Sequence, residues 1–358
     1  MKKIATLAVL AAISVTASAQ SSVTLFGVVD AAARYVKNGD VKTKSLASNG
    51  ANTSRIGFRG IEDLGDGLKA GFWIEGGFNP DDGTASNGPT LSSNGTFSQG
   101  RFFNRRTTVS LIGNFGEVRL GRDYTPTYLG YADYDVFGDN GLAASSKFDS
   151  SLGTARDTGT RADNQIIYIT PGTLGGFYGR AAVAAGEGVA GKRYVGGRGG
   201  FASGPFDVSV SYGQTKVAPI AGGDDKFKTF TVGGSYDFAV AKAYAYYLEN
   251  KFAEAKVASY AIGATVPLGV GLIRAAYTHA NSSGTNAAGA NIDRNDANEF
   301  ALGYIYNLSK RTALYTTVAY VKNKGNATFN VAGNPAGSPA LVGGEKSTGA
   351  EFGIRHAF

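Results

Sequence analysis

Along most of its length this chain sets apolar and polar side chains at alternate positions, and that period of two restricts its fold more than any other feature. In Val23–Asp30, Val23, Leu25, Gly27 and Val29 share one face, and Thr24, Phe26, Val28 and Asp30 the other. Ile56 and Phe58 alternate with Arg55, Gly57 and Arg59; Val118 and Leu120 alternate with Glu117 and Arg119. Phe300, Leu302, Tyr304, Tyr306 and Leu308 share a face near the end. Side chains that alternate in this way belong to strands, whose successive residues point to opposite faces. The polar face carries full charges, which a packed sandwich core would not tolerate unpaired. One face of the sheet must therefore meet water, or the sheet must close around water.

Turn chemistry narrows the choice. Short breaks fall at Leu64–Gly67, Gly113–Gly116, Pro171–Gly175, Ser203–Pro205, Phe238–Ala241, Pro267–Gly269 and Leu308–Lys310, each joining two alternating runs as a hairpin does. Between them lie long polar connections at Lys37–Thr53, Pro80–Ser98, Tyr124–Thr160, Asn281–Asp296 and Asn323–Glu345. Seven short turns on one side, with both chain ends on that same side, predict sixteen strands. An even number of strands of about 9–13 residues is the pattern of a transmembrane β-barrel. A sheet survives in lipid only when closed, because an open edge has no water to bond.

The ends of the chain agree. Met1-Lys2-Lys3, the apolar run Ile4–Val15 and the small residues up to Ala19 form an export signal, with cleavage expected after Ala19. Residues 20–358 are then a single barrel domain. Losing Lys2 and Lys3 lowers the formal charge from +7 to +5. Ala350, Phe352, Ile354, His356 and Phe358 alternate out to a terminal aromatic, as a closing strand would, and place Phe358 at the level of an interfacial girdle. With no Cys, two His and one Met in 358 residues, disulfides and thiolate metal sites are excluded and nucleophile–His chemistry has little to draw on. No enzyme, metal or cofactor is expected.

The stretch Gln20–Asp30 resembles the first strand of betaproteobacterial and neisserial-type porins. So do Ser54–Asp63 with its continuation Leu64–Ala70, then Phe115–Arg122, Leu308–Thr312 and Gly353–Phe358, in the family's order from one end to the other. The Phe-rich closing run, carried by Phe352, Ile354, His356 and Phe358, also resembles the tail recognised by bacterial barrel-assembly machinery. The resemblance implies a 16-stranded antiparallel barrel in a Gram-negative outer membrane, in contact with lipid and lipopolysaccharide. It also implies a homotrimer, with the long third loop folded into the lumen. The Pro-Glu-Phe-Gly-Gly stretch of enterobacterial constriction loops is missing; Tyr131–Asn140 stands in its place.

Strand parity says which charges reach the lumen. With the apolar set facing lipid, Asp30, Arg34, Arg55, Arg59, Arg106, Glu117, Arg119 and Arg161 point inward, and the longest loop brings Asp133, Asp135 and Asp139. A basic wall facing an acidic loop makes a transverse field, and guanidinium suits it because it stays charged and is weakly hydrated. The expected function is passive diffusion of small hydrophilic solutes with a preference for anions. The alternative is a substrate-specific channel for phosphate or organic anions on the same barrel. Two further motifs are refused. Gly186–Lys192 imitates a phosphate-binding loop, but Arg193 replaces Ser/Thr and no helix follows. Asp133-x-Asp135 begins like a calcium loop, but Phe137 and Ala144 occupy ligand positions. The basic charges are dispersed without a recognition module, so no nucleic-acid partner is expected.

Overall fold

The computed structural model describes residues 22–86, 90–91, 97–98, 100–220, 225–332 and 341–358; the predicted leader 1–19 lies outside them. Strands β1 (Ser22–Asn38), β2 (Val41–Ser48 and Arg55–Gly65), β3 (Leu68–Gly77), β4 (Arg106–Gly113), β5 (Gly116–Tyr124) and β6 (Arg161–Ile169) form the first part of one antiparallel sheet. It continues through β7 (Phe177–Ala184), β8 (Arg193–Ser203), β9 (Phe206–Lys216), β10 (Lys226–Asp237) and β11 (Lys242–Phe252). The last five are β12 (Ala255–Leu268), β13 (Gly271–Ser283), β14 (Ala297–Asn307), β15 (Thr312–Asn323) and β16 (Lys346–Ala357). Each strand pairs with its sequence neighbours, and β16 returns to β1, from Val28↔Ala357 to Asn38↔Ser347. The result is a closed sixteen-stranded barrel.

All seven short turns fall where the sequence places them. Outward positions are apolar and exposed, among them Leu25, Ile56, Phe58, Leu120, Phe300, Leu302, Phe352 and Ile354. His356 is also outward and shares a 2.9 Å hydrogen bond with the Thr312 hydroxyl. Phe358 closes the seam: its N–H donates to the Gly27 carbonyl and its carbonyl accepts from the Gly27 N–H, each at 3.1 Å.

One connection differs from expectation. Lys37–Thr53 is not a long loop: Gly39 and Asp40 make a tight turn, with Gly39 at φ +56°, and β2 starts at Val41. The alternation there was hidden because Lys42 and Lys44, not apolar residues, share the outward face with Tyr35 and Lys37. The second strand is then interrupted at 49–54. Asp30 holds the interruption: its carboxylate accepts from the N–H groups of Gly50 (3.0 Å), Ala51 (3.1 Å) and Asn52 (2.8 Å).

The buried core lies between the third loop, 125–160, and the wall beyond it. Thr125 caps helix α1 (Pro126–Ala132), accepting from the Tyr128 N–H, and Pro126 fits the first helical position because its missing N–H would be unbonded anyway. Tyr128, Tyr131 and Tyr134 pack with Tyr246, Leu248 and Ala261, and Phe137, Leu142 and Phe148 pack with Ala280, Ala301, Ala319 and Val321. Where the loop lies closest, inward positions on this wall are glycines, which gives it room. Tyr134, Val136, Phe137 and Leu142 lie over Gly233, Gly263, Gly303 and Gly349 of alternate strands. A Cβ at Gly233 would come within 2.2 Å of the Tyr134 ring, and one at Gly263 within 2.6 Å of Val136.

Candidate functional site

Because the third loop leans on β8–β16, a gap of about 460 Å³ is left between it and the opposite wall. Arg55 from β2, Glu75 from β3, Arg105 just before β4 and Arg161 from β6 line that wall, with Tyr124 at the loop's root and Asp139 on the loop. Inward parity places Arg55 and Arg161 there; Arg105 arrives by preceding the first residue of β4. Arg105 forms an ion pair with Glu75 and donates to the Tyr124 hydroxyl at 3.0 Å. Arg55 Nε lies 3.7 Å from the same Glu75 carboxylate, and its Nη1 donates to Asn52 Oδ1 at 2.9 Å. The Arg161 guanidinium stacks over the Tyr124 ring at 4.1 Å, which fixes it without neutralising it. The gap is therefore faced by three guanidinium groups and one wall carboxylate.

On the other side, Asp139 accepts from the Tyr128 hydroxyl (2.9 Å) and from the Ser146 N–H (2.7 Å). Burial and the nearby Asp135 carboxylate push its pKa up to about 6, against those hydrogen bonds. The tip of the loop touches the β2 interruption, where Thr53 Oγ1 donates to Asn140 Oδ1 at 3.0 Å.

The remaining residues singled out by parity lie elsewhere. Arg59 faces the lumen nearer the short turns, 5.3 Å from the Phe26 ring centre and 5.1 Å from that of Trp73. Arg106, Glu117 and Arg119 form a lower network centred on buried Asp123, which also takes Arg180 Nη2 at 3.0 Å and Arg119 Nη1 at 2.6 Å. Arg34 pairs with buried Glu351 at 2.7 Å, beside the loop tip. Asp30 is fully buried in the clasp described above and takes a 2.5 Å hydrogen bond from the Tyr315 hydroxyl. Asp133 is paired with Arg198 of β8. The Asp135 carboxylate turns back onto its own loop, accepting from the N–H groups of Phe137 (2.7 Å), Asp139 (3.0 Å) and Ser145 (3.1 Å). Of the three loop acids, only Asp139 borders the gap.

Sequence reasoning missed Glu75, Arg105, Asp123 and Arg180. Parity could have found two of them: Trp73 and Glu75 alternate with exposed Phe72, and Arg180 alternates with exposed Phe177 and Val183. Arg105 lies outside any strand, so no periodicity marks it.

Comparison with known proteins fits this geometry. A family profile described as Gram-negative porin matches residues 6–326. The chain is 41 % identical to outer membrane porin protein 32 of Delftia acidovorans, over 100 % of this chain and 99 % of that one. It is 35 % identical to the major outer membrane protein P.IB of Neisseria meningitidis serogroup B, over 34 % of each chain. Among solved structures, an anion-selective porin from Comamonas acidovorans superposes with a TM-score of 0.80 at 39 % identity, covering 94 % of this chain and 100 % of that one. This protein belongs to the Gram-negative porin family, multi-pass β-barrels of the outer membrane.

Proposed function

We propose that this porin lets small hydrophilic solutes diffuse passively and prefers anions, with the gap beside the third loop as its selective zone. The observation that carries the reading is the set of Arg55, Arg105 and Arg161 on one side of the gap, three cations against the two acids Glu75 and Asp139. Charges this close to a passing ion act inside one Debye length, about 8 Å at physiological ionic strength. The inward Arg34, Arg59, Arg106 and Arg119 add to the basic potential of the lumen, while Asp30, Glu117, Asp133 and Asp135 are each held by hydrogen bonds or ion pairs. The anion-selective character of the Comamonas porin supports the same direction.

The active form is a homotrimer of mature chains beginning at Gln20, inserted by the barrel-assembly machinery through the strand that ends in Phe358, and surrounded by lipid and lipopolysaccharide. It works without bond chemistry. Planar-bilayer recording tests the proposal: under a salt gradient the reversal potential takes the sign of anion preference, with conductance steps in groups of three. A cation-selective reversal potential overturns the selectivity, and single independent steps overturn the trimer.

A further inference from the structure

The outer surface of the barrel carries an unusual row of like charges. Strand register sets Lys228 of β10 opposite Lys251 of β11, and Lys251 opposite Lys256 of β12. All three belong to the outward set, with Phe230, Val232, Tyr247, Tyr260 and Ile262. Neighbouring strands lie about 4.8 Å apart, so the row spans roughly 10 Å. Like charges directly opposite on adjacent strands destabilise a sheet. Lys216 and Lys226 stand opposite each other just beyond the row, again outward.

Acids nearby are fewer. Glu249, one position below, takes the Tyr247 hydroxyl at 2.7 Å and lies 3.8 Å from Lys256 Nζ. Asp225 lies 3.3 Å from Lys216 Nζ, and Glu254 is exposed in the turn between β11 and β12. Lys228 and Lys251 form no ion pair among the described residues. Directly below the row come aromatic side chains, with Phe230 and Tyr247 ring centres 6.3 Å apart, and then the apolar belt. The lysines stand on the long-loop side of that aromatic level, which is where the headgroups of the outer leaflet lie.

We infer that Lys228, Lys251 and Lys256 form a binding site for the phosphate groups of an anionic lipid in the outer leaflet, with its acyl chains along the belt beneath. The inference rests on the outer-membrane placement and is independent of which ions the lumen prefers. Charge complementarity selects the occupant: Glu249 reaches only Lys256, so a phosphate-bearing headgroup neutralises Lys228 and Lys251, which pair with no acid among the described residues, and the belt below accepts hydrocarbon.

The test uses the mature protein in detergent, titrated with diphosphorylated lipid A and followed by native mass spectrometry. A triple K228Q/K251Q/K256Q variant is expected to bind about a hundredfold more weakly, from a contribution of about fivefold per lysine. The corresponding triple arginine variant keeps binding. Inorganic phosphate at equal concentration does not displace the lipid, and phosphatidylcholine does not substitute for it. Wild-type conductance in the glutamine variant shows that the barrel and lumen are intact. Equal lipid A affinity in wild type and glutamine variant overturns the inference. So does full displacement by inorganic phosphate, or loss of oligomer mass with lipid binding unchanged, which would assign the row to a second copy of the chain.

Discussion

The two halves of the lumen wall obey the same alternation and do opposite things. On β2–β6 the inward positions carry long charged side chains that border open space. On β8–β16 many are Gly, Ala, Ser or Thr, and three of the charges that remain are engaged by the third loop: buried Glu299 with Lys147, Arg198 with Asp133, and Arg274 stacked 4.5 Å from the Phe137 ring. Both kinds of inward residue look alike as polar positions in a strand. What separates them is volume. Small residues admit a loop that fills the space, while large charged ones keep it open.

This contrast should be breakable, first on the loop side. Lys147→Met leaves Glu299 buried without its partner and is expected to cost about 3–5 kcal/mol of stability. Thermal unfolding should show the loss, and the double variant Lys147→Met/Glu299→Gln should recover most of it. Gly233→Val drives a side chain into the Tyr134 ring and should cost about 1–3 kcal/mol, as overpacking does. It should also change single-channel conductance, because the loop must lift from the wall.

Changes on the open side should act on ions instead. Arg55→Gln/Arg161→Gln should leave the unfolding temperature nearly unchanged and move the reversal potential toward cations. A large loss of stability there would erase the distinction between the two walls. The smallest effect expected is on pH. Asp139 has a pKa raised to about 6, so its carboxylate is charged above that pH and neutral below it. Anion preference should rise as pH falls through about 6, and Asp139→Asn should be flat across the window. The same sign holds for stability: a raised carboxyl pKa means ionised Asp139 carries a cost above about pH 6 that protonation removes.

Most of the fold was legible because period two survives in most strands and six of the seven short turns carry Gly, Pro, Asn, Asp or Ser, Phe238–Ala241 being the exception. The β1–β2 hairpin was obscured where lysines replace apolar residues above the lipid belt. The site was legible only in part. Parity says that Arg55, Arg59, Arg106, Arg119 and Arg161 point inward, but not at what height, and height separates the gap from the lower network around Asp123. The loop acids were misleading for another reason. An Asp in an irregular segment satisfies backbone N–H groups as readily as it faces solvent, and Asp135 does the former. Thr125-Pro126 did carry a helix-start signature, which alternation-based reading passes over.

The seam between β1 and β16 has a consequence for how the molecule comes into being. Asp30 stands opposite Arg355 in the strand register across the seam, and the Tyr315 hydroxyl reaches the Asp30 carboxylate from a residue 285 positions away. The earliest-made stave thus waits for the latest. Until the final residues are delivered, any partial chain has two unsatisfied edges and no stable place in hydrocarbon, so release, threading and sealing must be a single late event.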